Sequence, residues 1–391
     1  MSNLNFINLK IKPISSESFG VRSFCFKIST PDLCILLDPG CSLGPRTKLK
    51  NPHPLEFKRL YQMTDVILNE SKNIVYIFIS HFHHDHFKPN LEDNQYIYSN
   101  KSIFESIFSN KIIFCKDPWN KINYNQKQRG LKFISDIQNK LNKNSQLHLI
   151  VENFKFLKNQ NAEFENEIGK NLYKLKLNNI KQIISINNTN LIFPDEFLHG
   201  FFKKNDKLIY VQPLIINYKD ENFYFFSDVQ GIGSFQDFEK VLKIKNLIDL
   251  TIKNLNYESP KSTIALSGPG RYGLNESILH LKYLIHEFNE IYIDHHLVRD
   301  ILFPKYLIQL KIRGNELGKQ IKLCNHKLNY LIDLYFKNIQ FNNKFEFESN
   351  DLFNIKNILD EKYFEELKSN NLNENQIILE CLREFYYNLI N

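Results

Sequence analysis

The sequence predicts an α/β protein. Residues 74–80 (IVYIFIS) form a continuous apolar run rich in β-branched and aromatic residues, which is typical of a strand buried on both faces. Shorter runs of the same kind recur along the chain, as at 208–216 (LIYVQPLII). Between and after them lie stretches with a helical pattern of apolar residues, such as 54–68. Strands and helices therefore alternate along much of the chain, as in an α/β fold.

The first third of the chain is rich in predicted strands. Residues 21–28 and 33–38 are strand-like runs separated by a Pro-Asp turn. The second run ends in Asp38-Pro39-Gly40, which stops a strand sharply. After the predicted helix, the apolar run at 74–80 leads directly into the segment HFHHDHF at 81–87.

The rest of the chain divides into three parts. Residues 120–180 are rich in Lys, Asn and Gln and mostly helical in period, which predicts a helical insertion. Strands are then expected at 182–193, 208–216, 223–227, 262–266 and 290–293, with a helix at 275–289. Everything after about residue 311 has helical spacing, including an amphipathic stretch at 374–390. We therefore expect one domain over 1–310 and a helical C-terminal extension over 311–391.

Composition excludes several classes of protein. The 391 residues are 42% apolar and include 33 Phe and 19 Tyr, which is too much burial for a disordered chain. No apolar run approaches the roughly 18 residues that span a bilayer, and the N-terminus lacks the pattern of a secretory signal, so we expect a cytoplasmic protein with no membrane partner. Six scattered cysteines without a CxxC motif predict no disulfide framework. The net charge of +7 allows phosphate-bearing partners without requiring them. Nothing in the composition indicates an oligomeric state.

The segment His81-Phe82-His83-His84-Asp85-His86 carries the chemistry. It has the form HxHxDH directly after a buried strand. His81 and His83 are two residues apart and can bind one metal ion from the same side, and Asp85 and His86 can face a second ion beside it. Imidazole nitrogens and carboxylate oxygens suit zinc, with iron and manganese as alternatives. His84 occupies the variable position and is not expected to be a ligand.

A strand followed by HxHxDH resembles the metallo-β-lactamase superfamily. The resemblance implies a four-layer αββα sandwich with the metal site at one edge of its two sheets. It also implies that His199, in Leu198-His199-Gly200, is the third histidine of the first site, and that Asp228 is the bridging carboxylate. The last ligand falls in Asp294-His295-His296. Adjacent residues at a strand end point to opposite faces, so either His295 or His296 is the ligand.

The resemblance extends to a narrower family. Several segments are similar to an uncharacterised archaeal family of metallo-β-lactamase-fold hydrolases over about residues 10–305: SFGVRS (18–23), DPGCSLGPR (38–46), NPHPLE (51–56), SHFHHDHF (80–87), SDVQG (227–231) and DHHLVRD (294–300). This chain departs from the family at 267–272 (SGPGRY), where the family tends to have an acidic residue before Gly-Pro-Pro. The resemblance implies the fold and the metal site and leaves the substrate open.

Residues outside the motifs are weaker candidates for contacts around the site. Asp294 is a candidate to hold one imidazole through its far nitrogen, and Asp38 to support a ligand in the same way. Arg46 and Arg271 are candidates to bind an anionic substrate group, and Tyr272 to project into the site. The alternative for each is an ordinary turn, surface or packing role.

The pattern favours a hydrolase that uses two divalent metal ions, most simply Zn²⁺, to generate a metal-bound hydroxide. In this reading Asp228 bridges the ions and orients the nucleophile, and Asp85 ligates the second ion and accepts a proton. The substrate is an ester, thioester, lactone or phosphodiester. The alternatives are a nuclease acting on RNA or DNA, which the basic charge favours, and a metal-stabilised binding protein without catalysis. The binding protein is disfavoured because no ligand of the motif is lost.

Overall fold

Two mixed β-sheets lie face to face in the computed structural model of the chain, and helices cover their outer faces. The structure describes residues 8–43, 52, 54–92, 94–141, 145–151, 166–174, 180–202, 207–229, 235–257, 259–267, 284–295 and 303–329.

Within these ranges the first sheet has six strands, in the order β1-β2-β3-β4-β5-β6. They are Lys10–Ser16 (β1), Phe24–Ser29 (β2), Cys34–Leu37 (β3), Tyr76–Ile79 (β4), Ile112–Lys116 (β5) and Gln146–Ile150 (β6). β1, β2 and β3 are antiparallel, whereas β3 to β6 are parallel. Parallel neighbours need a crossover, and helices supply it: Pro54–Ser71 (α1), Lys101–Phe108 (α2) and Tyr124–Lys140 (α3). The carboxyl ends of β3, β4 and β5 therefore share one edge.

The second sheet has seven strands in the described part of the chain, in the order β15-β14-β13-β12-β11-β8-β7. They are Ile180–Ile186 (β7), Thr189–Pro194 (β8), Leu214–Tyr218 (β11), Glu221–Asp228 (β12), Lys261–Ser267 (β13), Glu290–Asp294 (β14) and Gln320–Lys322 (β15). β7, β8, β11 and β12 are antiparallel, and β12 to β15 are parallel. A separate hairpin joins Phe197–Phe202 (β9) to Lys207–Val211 (β10). The accompanying helices are Glu167–Lys174 (α4), Phe235–Asn254 (α5) and Phe303–Glu316 (α6).

Aromatic side chains fill the space between the sheets. Phe24 of β2 stacks on Phe225 of β12 with ring centroids 5.6 Å apart, and Phe78 of β4 meets Phe193 of β8 at 6.0 Å. All four are fully buried, and each such burial stabilises the fold by about 1.5–3 kcal/mol. Because these rings alternate along their strands with residues that face the helices, both faces of each sheet are apolar.

Separate apolar clusters join each sheet to its helices. Ile77 and Ile113 of the first sheet pack with Leu60, Phe104 and Phe133 from α1, α2 and α3. On the second sheet, the corresponding cluster includes residues of α4, α5 and α6. The described chain is thus a four-layer αββα sandwich, the architecture that the motif resemblance implies.

The segment at 120–180 differs from the expected helical insertion. It contains α3 and α4, but Gln146–Ile150 is a strand at the edge of the first sheet. Most of its side chains are only half-buried, so the polar composition of an edge strand hides it in the sequence. This part of the insertion therefore belongs to the sandwich itself.

The start of the expected C-terminal extension also contains a strand. Gln320–Lys322 pairs in parallel with β14, where the sequence pattern indicates helix. Helix α6 runs across the predicted boundary at residue 310, and the division into 1–310 and 311–391 stays a prediction. The helix expected at 374–390 lies outside the described residues, as does most of the one expected at 275–289. Within the described ranges, no helix combines the length and apolar character needed to cross a bilayer.

Candidate metal centre

Histidine and aspartate side chains from both sheets converge where the strands end. The loop 81–87 follows β4, Asp228 ends β12, and His295 follows β14. Three sets of side chains have ligand atoms within 4.8 Å of one another: the first ligand group (His81, His83, His199 and Asp228), the second ligand group (Asp85, His86, Asp228 and His295), and Asp38 with His81 and His86. Asp228 belongs to both groups.

The first ligand group surrounds one oxygen of Asp228. His81 Nε2 lies 3.1 Å from His83 Nδ1 and 4.0 Å from Asp228 Oδ2. His199 Nδ1 lies 3.9 Å from the same Oδ2. These three histidines are the ones that the motif and the resemblance assign to the first site.

The second ligand group approaches both oxygens of the Asp228 carboxylate. His86 Nε2 is 3.4 Å from Asp228 Oδ2, and His295 Nε2 is 3.1 Å from Asp228 Oδ1. Asp85 Oδ2 lies 3.6 Å from His295 Nε2 and 3.9 Å from His86 Nε2. Of the two candidate histidines, the structure brings His295 into this group.

The donor set fits two divalent ions. Ligand atoms about 2.0–2.1 Å from a tetrahedral metal lie about 3.3 Å apart, close to the separations found here. The donors are imidazole nitrogens and carboxylate oxygens, which suit zinc, iron and manganese. A carboxylate that faces both groups is the bridge that two cations about 3.5–4 Å apart require. The histidine and aspartate cluster is therefore compatible with divalent metal binding.

Bulges and positive φ angles in the backbone determine the direction of several of these ligand side chains. The register between β12 and β13 shifts between Phe225 and Ser227, and Ser227 has φ of 52°, so Asp228 leaves the regular strand alternation. His295 has φ of 64°, which L-residues seldom adopt. His199 is the extra residue of a bulge in β9. Such strained positions are common where a site dictates geometry.

Asp38 supports ligands of both groups from behind. His86 Nδ1 donates to Asp38 Oδ2 at 2.8 Å, which leaves Nε2 directed at the second group. Ser80 donates to the same carboxylate through its hydroxyl at 2.6 Å and its backbone N–H at 2.7 Å. The Ser80 hydroxyl also lies 2.9 Å from His81 Nδ1, and Ser227 donates to Asp38 at 2.7 Å. The predicted supporting position of Asp38 is the one it occupies.

Gly40 allows this support to come close. A Cβ atom at residue 40 would lie 2.1 Å from the backbone nitrogen of Phe87 and 2.6 Å from that of His86. Any side chain would therefore push the turn after β3 away from the histidine loop. A glycine at position 40 is therefore required for the turn after β3 to contact the histidine loop at 81–87.

The Asp294 carboxylate does not hold the far nitrogen of His295. Its carboxylate accepts hydrogen bonds from Ser18, through N–H at 3.0 Å and Oγ at 2.5 Å, and from the backbone N–H groups of His295 and Cys324 at 2.7 and 3.1 Å. It thus fixes the backbone beside the ligand, because a carboxylate that ends β14 points toward neighbouring N–H groups. The far nitrogen of His295, Nδ1, lies 3.0 Å from Oε2 of buried Glu17 instead.

Helix α3 contacts the loop through Gln126. Its amide Nε2 lies 3.0 Å from His83 Nε2, and its Oε1 accepts from the Phe82 backbone N–H at 3.3 Å. Four residues later, a Cβ at Gly130 would lie 2.7 Å from the Phe82 ring, so the helix rests directly on the loop. Gln126 therefore orients His83.

Sequence reasoning missed Glu17, Gln126 and Ser267. Ser267 donates to Asp228 Oδ1 at 2.5 Å from the end of β13, and it stands where the family resemblance expects an acidic residue. Its place at a strand end on the site edge is a signal that the sequence offers. No local pattern marks Glu17 or Gln126, since both reach the site only through tertiary packing.

The remaining predicted residues lie elsewhere. Arg46, Arg271, Tyr272 and His296 are outside the described residues. His84 is in neither ligand group, and its ring packs against Phe87 with centroids 5.6 Å apart.

The pKa values of the histidines differ between the two ligand groups. Burial, followed by the neighbouring imidazoles, holds the pKa of His81 and the pKa of His83 well below the ordinary value. At His86 burial acts in the same direction, but the charges of Asp38 and Asp85 outweigh it and raise the pKa to about 9. Burial opposes ionisation of Asp85, yet the nearby cationic groups, His86 first, hold its pKa below the usual range. In the metal-free protein His81 and His83 are therefore neutral at neutral pH, whereas His86 holds a proton.

Comparison with known proteins gives the family. A scan of protein-family models finds no match. The chain is 31% identical over 337 residues to a UPF0282 protein of Methanocaldococcus jannaschii, covering 85% of this chain and 97% of that protein. It is 29% identical over 332 residues to a UPF0282 protein of Saccharolobus islandicus, and the match covers 82% of this chain and 88% of that protein. Among solved structures, unliganded yeast PDE1 matches with 13% identity and a TM-score of 0.47 over 81% of this chain and 98% of that one. The M. jannaschii protein is matched over nearly its whole length at 31% identity, and the chain therefore belongs to the UPF0282 family.

Proposed function

We propose that the protein is a hydrolase that depends on two divalent metal ions. The observation that carries the proposal is the sharing of Asp228 between two ligand groups, each with three further donors. A protein that used metal only for stability would need one closed set of ligands. Two adjoining sets with a common carboxylate are instead typical of hydrolytic centres.

The chemistry that such ions supply when bound is Lewis-acid polarisation of the scissile bond and acidification of water. The contribution of the chain is to hold ligands and charge in place. Asp228 is positioned by the Ser267 hydroxyl at 2.5 Å. His81 and His86 are oriented through Ser80 and Asp38, and His83 through Gln126. Fixed ligands of this kind keep the site ready for reaction without rearrangement.

Asp85 supplies negative charge to the second group. Its low pKa keeps it ionised at neutral pH, as a ligand must be. A carboxylate with such a pKa is a weak base, so we assign Asp85 to ligation and assign no proton transfer to it. Zinc as the native metal and Asp228 as the residue that orients the nucleophile remain parts of this proposal.

Metal content and hydrolysis together test the proposal. We expect protein purified without added metal to contain close to two ions per chain by elemental analysis, with zinc predominant. The loaded protein should hydrolyse a chromogenic phosphodiester or ester. Asp228→Ala should abolish hydrolysis and empty at least one position, because two cations would lose their shared anion. His84→Ala is the matched control and should retain metal and most activity.

Other outcomes would point to the alternatives. Failure to bind any metal after addition would overturn the proposal. Two bound ions without hydrolysis of either chromogen or of RNA and DNA would favour the metal-stabilised binding protein. Cleavage confined to RNA or DNA would favour the nuclease. Equal losses in Asp228→Ala and His84→Ala would mean that the ligands have been misassigned.

A further inference from the structure

Arg22 lies beside the second ligand group on a rigid piece of backbone. Its N–H donates to Ser42 O at 3.0 Å, and its carbonyl accepts from Ser42 N at 2.9 Å. From this anchored position the side chain reaches Asp85, with Nε 3.6 Å from Oδ2. The guanidinium is therefore held at the site by structure that is independent of any ligand.

The geometry of Arg22 differs from that of a structural ion pair. A distance of 3.6 Å is too long for a hydrogen bond, and Nε is buried without a hydrogen-bond partner in the described part of the chain. The side chain as a whole is 24% exposed, so part of it reaches solvent. An arginine whose task was to bind Asp85 would form the short, bidentate pair that this side chain favours. Its guanidinium is instead only partly engaged by Asp85, and the part of the side chain that reaches solvent can meet a bound molecule.

Arg129 approaches the same carboxylate from helix α3. It lies one turn beyond Gln126, the residue that contacts His83, and next to Gly130, which packs on the Phe82 ring. Residues three apart on a helix share a face, so Arg129 lies over the histidine loop. The side chain is half-buried and makes no hydrogen bond or ion pair within the described residues. Burial lowers the pKa of Arg129, and the Asp85 charge acts against that shift.

The two ions and the ligands of a loaded site would together carry a net positive charge. Asp85 and Asp228 are the carboxylates in the two ligand groups, and together they cancel half of the charge that two divalent ions bring. Arg22 and Arg129 add further positive charge beside Asp85 of the second group. A neutral ester would gain little from two desolvated guanidinium groups, whereas a phosphoryl group presents several oxygens to them.

We propose that Arg22 and Arg129 form an anion-binding subsite that holds the phosphoryl group of the substrate beside the second ligand group. This inference rests on the proposed function and narrows its substrate class to phosphate esters. Arg22 is fixed by its backbone bridge to Ser42 and Arg129 by α3, so the two guanidinium groups are held by separate elements. They are specificity-determining residues that take part in neither metal ligation nor proton transfer.

Binding of inorganic phosphate tests the subsite apart from catalysis. Calorimetry on the zinc-loaded protein would compare wild type with Arg22→Gln and Arg129→Gln. The loss of a charge-assisted hydrogen bond should weaken phosphate binding about 10- to 100-fold in each variant, with metal content unchanged. Arg59→Gln is the control, since Arg59 is exposed on α1 and its Nη1 donates to Gln62. It should bind phosphate as wild type does.

Steady-state kinetics provide a second measurement. Both variants should raise KM for a phosphodiester chromogen by a larger factor than KM for a neutral ester chromogen. Arg22→Lys should recover only part of the loss, because an ammonium keeps the charge without the planar fork.

The outcomes separate this inference from the proposed function. Wild-type phosphate affinity in both glutamine variants, with two metal ions bound, would overturn the subsite and leave the hydrolase intact. Loss of metal from Arg22→Gln would assign Arg22 to the support of Asp85 and would also overturn it. A wild-type protein that binds phosphate with the expected arginine dependence but hydrolyses nothing would retain the subsite and overturn the hydrolase.

Discussion

Asp38 orients His86 through a hydrogen bond of 2.8 Å between buried atoms that are 48 residues apart in sequence. The same carboxylate reaches His81 through the Ser80 hydroxyl. One residue therefore fixes an imidazole in each ligand group, and the two groups depend on a common support.

Asp38→Asn should weaken metal binding at both groups. An amide cannot accept all the hydrogen bonds that the carboxylate receives, and loss of such outer contacts typically lowers metal affinity 10- to 100-fold. Competition with a chromogenic chelator would measure the change. Asp65→Asn, at an exposed position of α1, is the control and should bind metal as wild type does. Unchanged affinity in Asp38→Asn would show that the ligands orient themselves without this support.

The two ligand groups should respond differently to pH. A metal ion must displace the proton from His86, whose pKa is raised to about 9 by Asp38 and Asp85 against the effect of burial. Below that pKa each pH unit lowers the affinity of the second group about tenfold. His81 and His83 of the first group carry no such proton, because burial and the neighbouring imidazoles depress their pKa values.

Zinc titrations at pH 6.5 and pH 8.5 would measure this difference. We expect the affinity of the second group to rise about 100-fold between the two, while that of the first changes far less. Asp38→Asn should flatten the pH response, because it removes a charge that raises the His86 pKa. Parallel pH responses at both groups would contradict the assignment of the bound proton.

Gln126→Ala should selectively affect the first ligand group. The variant removes the amide that lies 3.0 Å from His83 Nε2, so the imidazole loses its orientation. We expect about a tenfold loss of affinity at the first group and little change at the second. Visible absorption of the cobalt-substituted protein would follow the two positions separately. Gln128→Ala, exposed on the same helix, is the control. Equal losses at both groups would indicate a general disturbance of α3.

Truncation after residue 310 should damage the second ligand group although the deleted segment supplies no ligand. The deletion removes the N–H of Cys324, which donates to Asp294 at 3.1 Å, and Asn325, which donates to Ser18 at 3.0 and 2.9 Å. We expect insoluble protein, or folded protein that has lost metal from the second group.

Truncation after residue 329 is the comparison, because it keeps these contacts. Solubility and metal content would be measured for both forms. A fully active, metal-loaded protein ending at residue 310 would instead assign the segment to association or an outside partner. A side chain after residue 310 that binds a metal ion directly would refute the prediction. Among the described residues after 310, none belongs to either ligand group.

Much of the strand pattern could be predicted because long apolar runs are unambiguous. The run at 74–80 corresponds to β4, and 262–266 to β13. Edge strands are harder to predict: β6 and β15 expose much of their side chains and so lack the apolar signal. The expected strand at 208–216 is divided at Gln212-Pro213 into β10 and β11, since proline cannot donate to a ladder.

The residues of the site likewise divide into those that the sequence predicts and those that only the structure shows. Most of its proposed ligands end or follow strands of the two sheets, and the HxHxDH motif makes four of them visible in the sequence. Their supports were only partly visible: Asp38 ends a strand, whereas Glu17 and Gln126 come from a short helical turn and the first turn of α3. His295 reaches the second ligand group because it has a positive φ, and no pattern of residues in the sequence predicts that angle.

The hydrogen bonds from Asn325 to Ser18 join positions 307 residues apart, and this separation bears on the order in which the protein forms during synthesis. The first ligand group draws only on residues 81–228, whereas the second also needs His295 and its neighbours around residue 325. During synthesis, all four ligands of the first group therefore leave the ribosome before His295 of the second group has been added to the chain. Contacts of such long range also slow folding, because the intervening chain must be ordered before they form. Metal loading in the cell should then proceed in sequence, with the first position filled before the second exists.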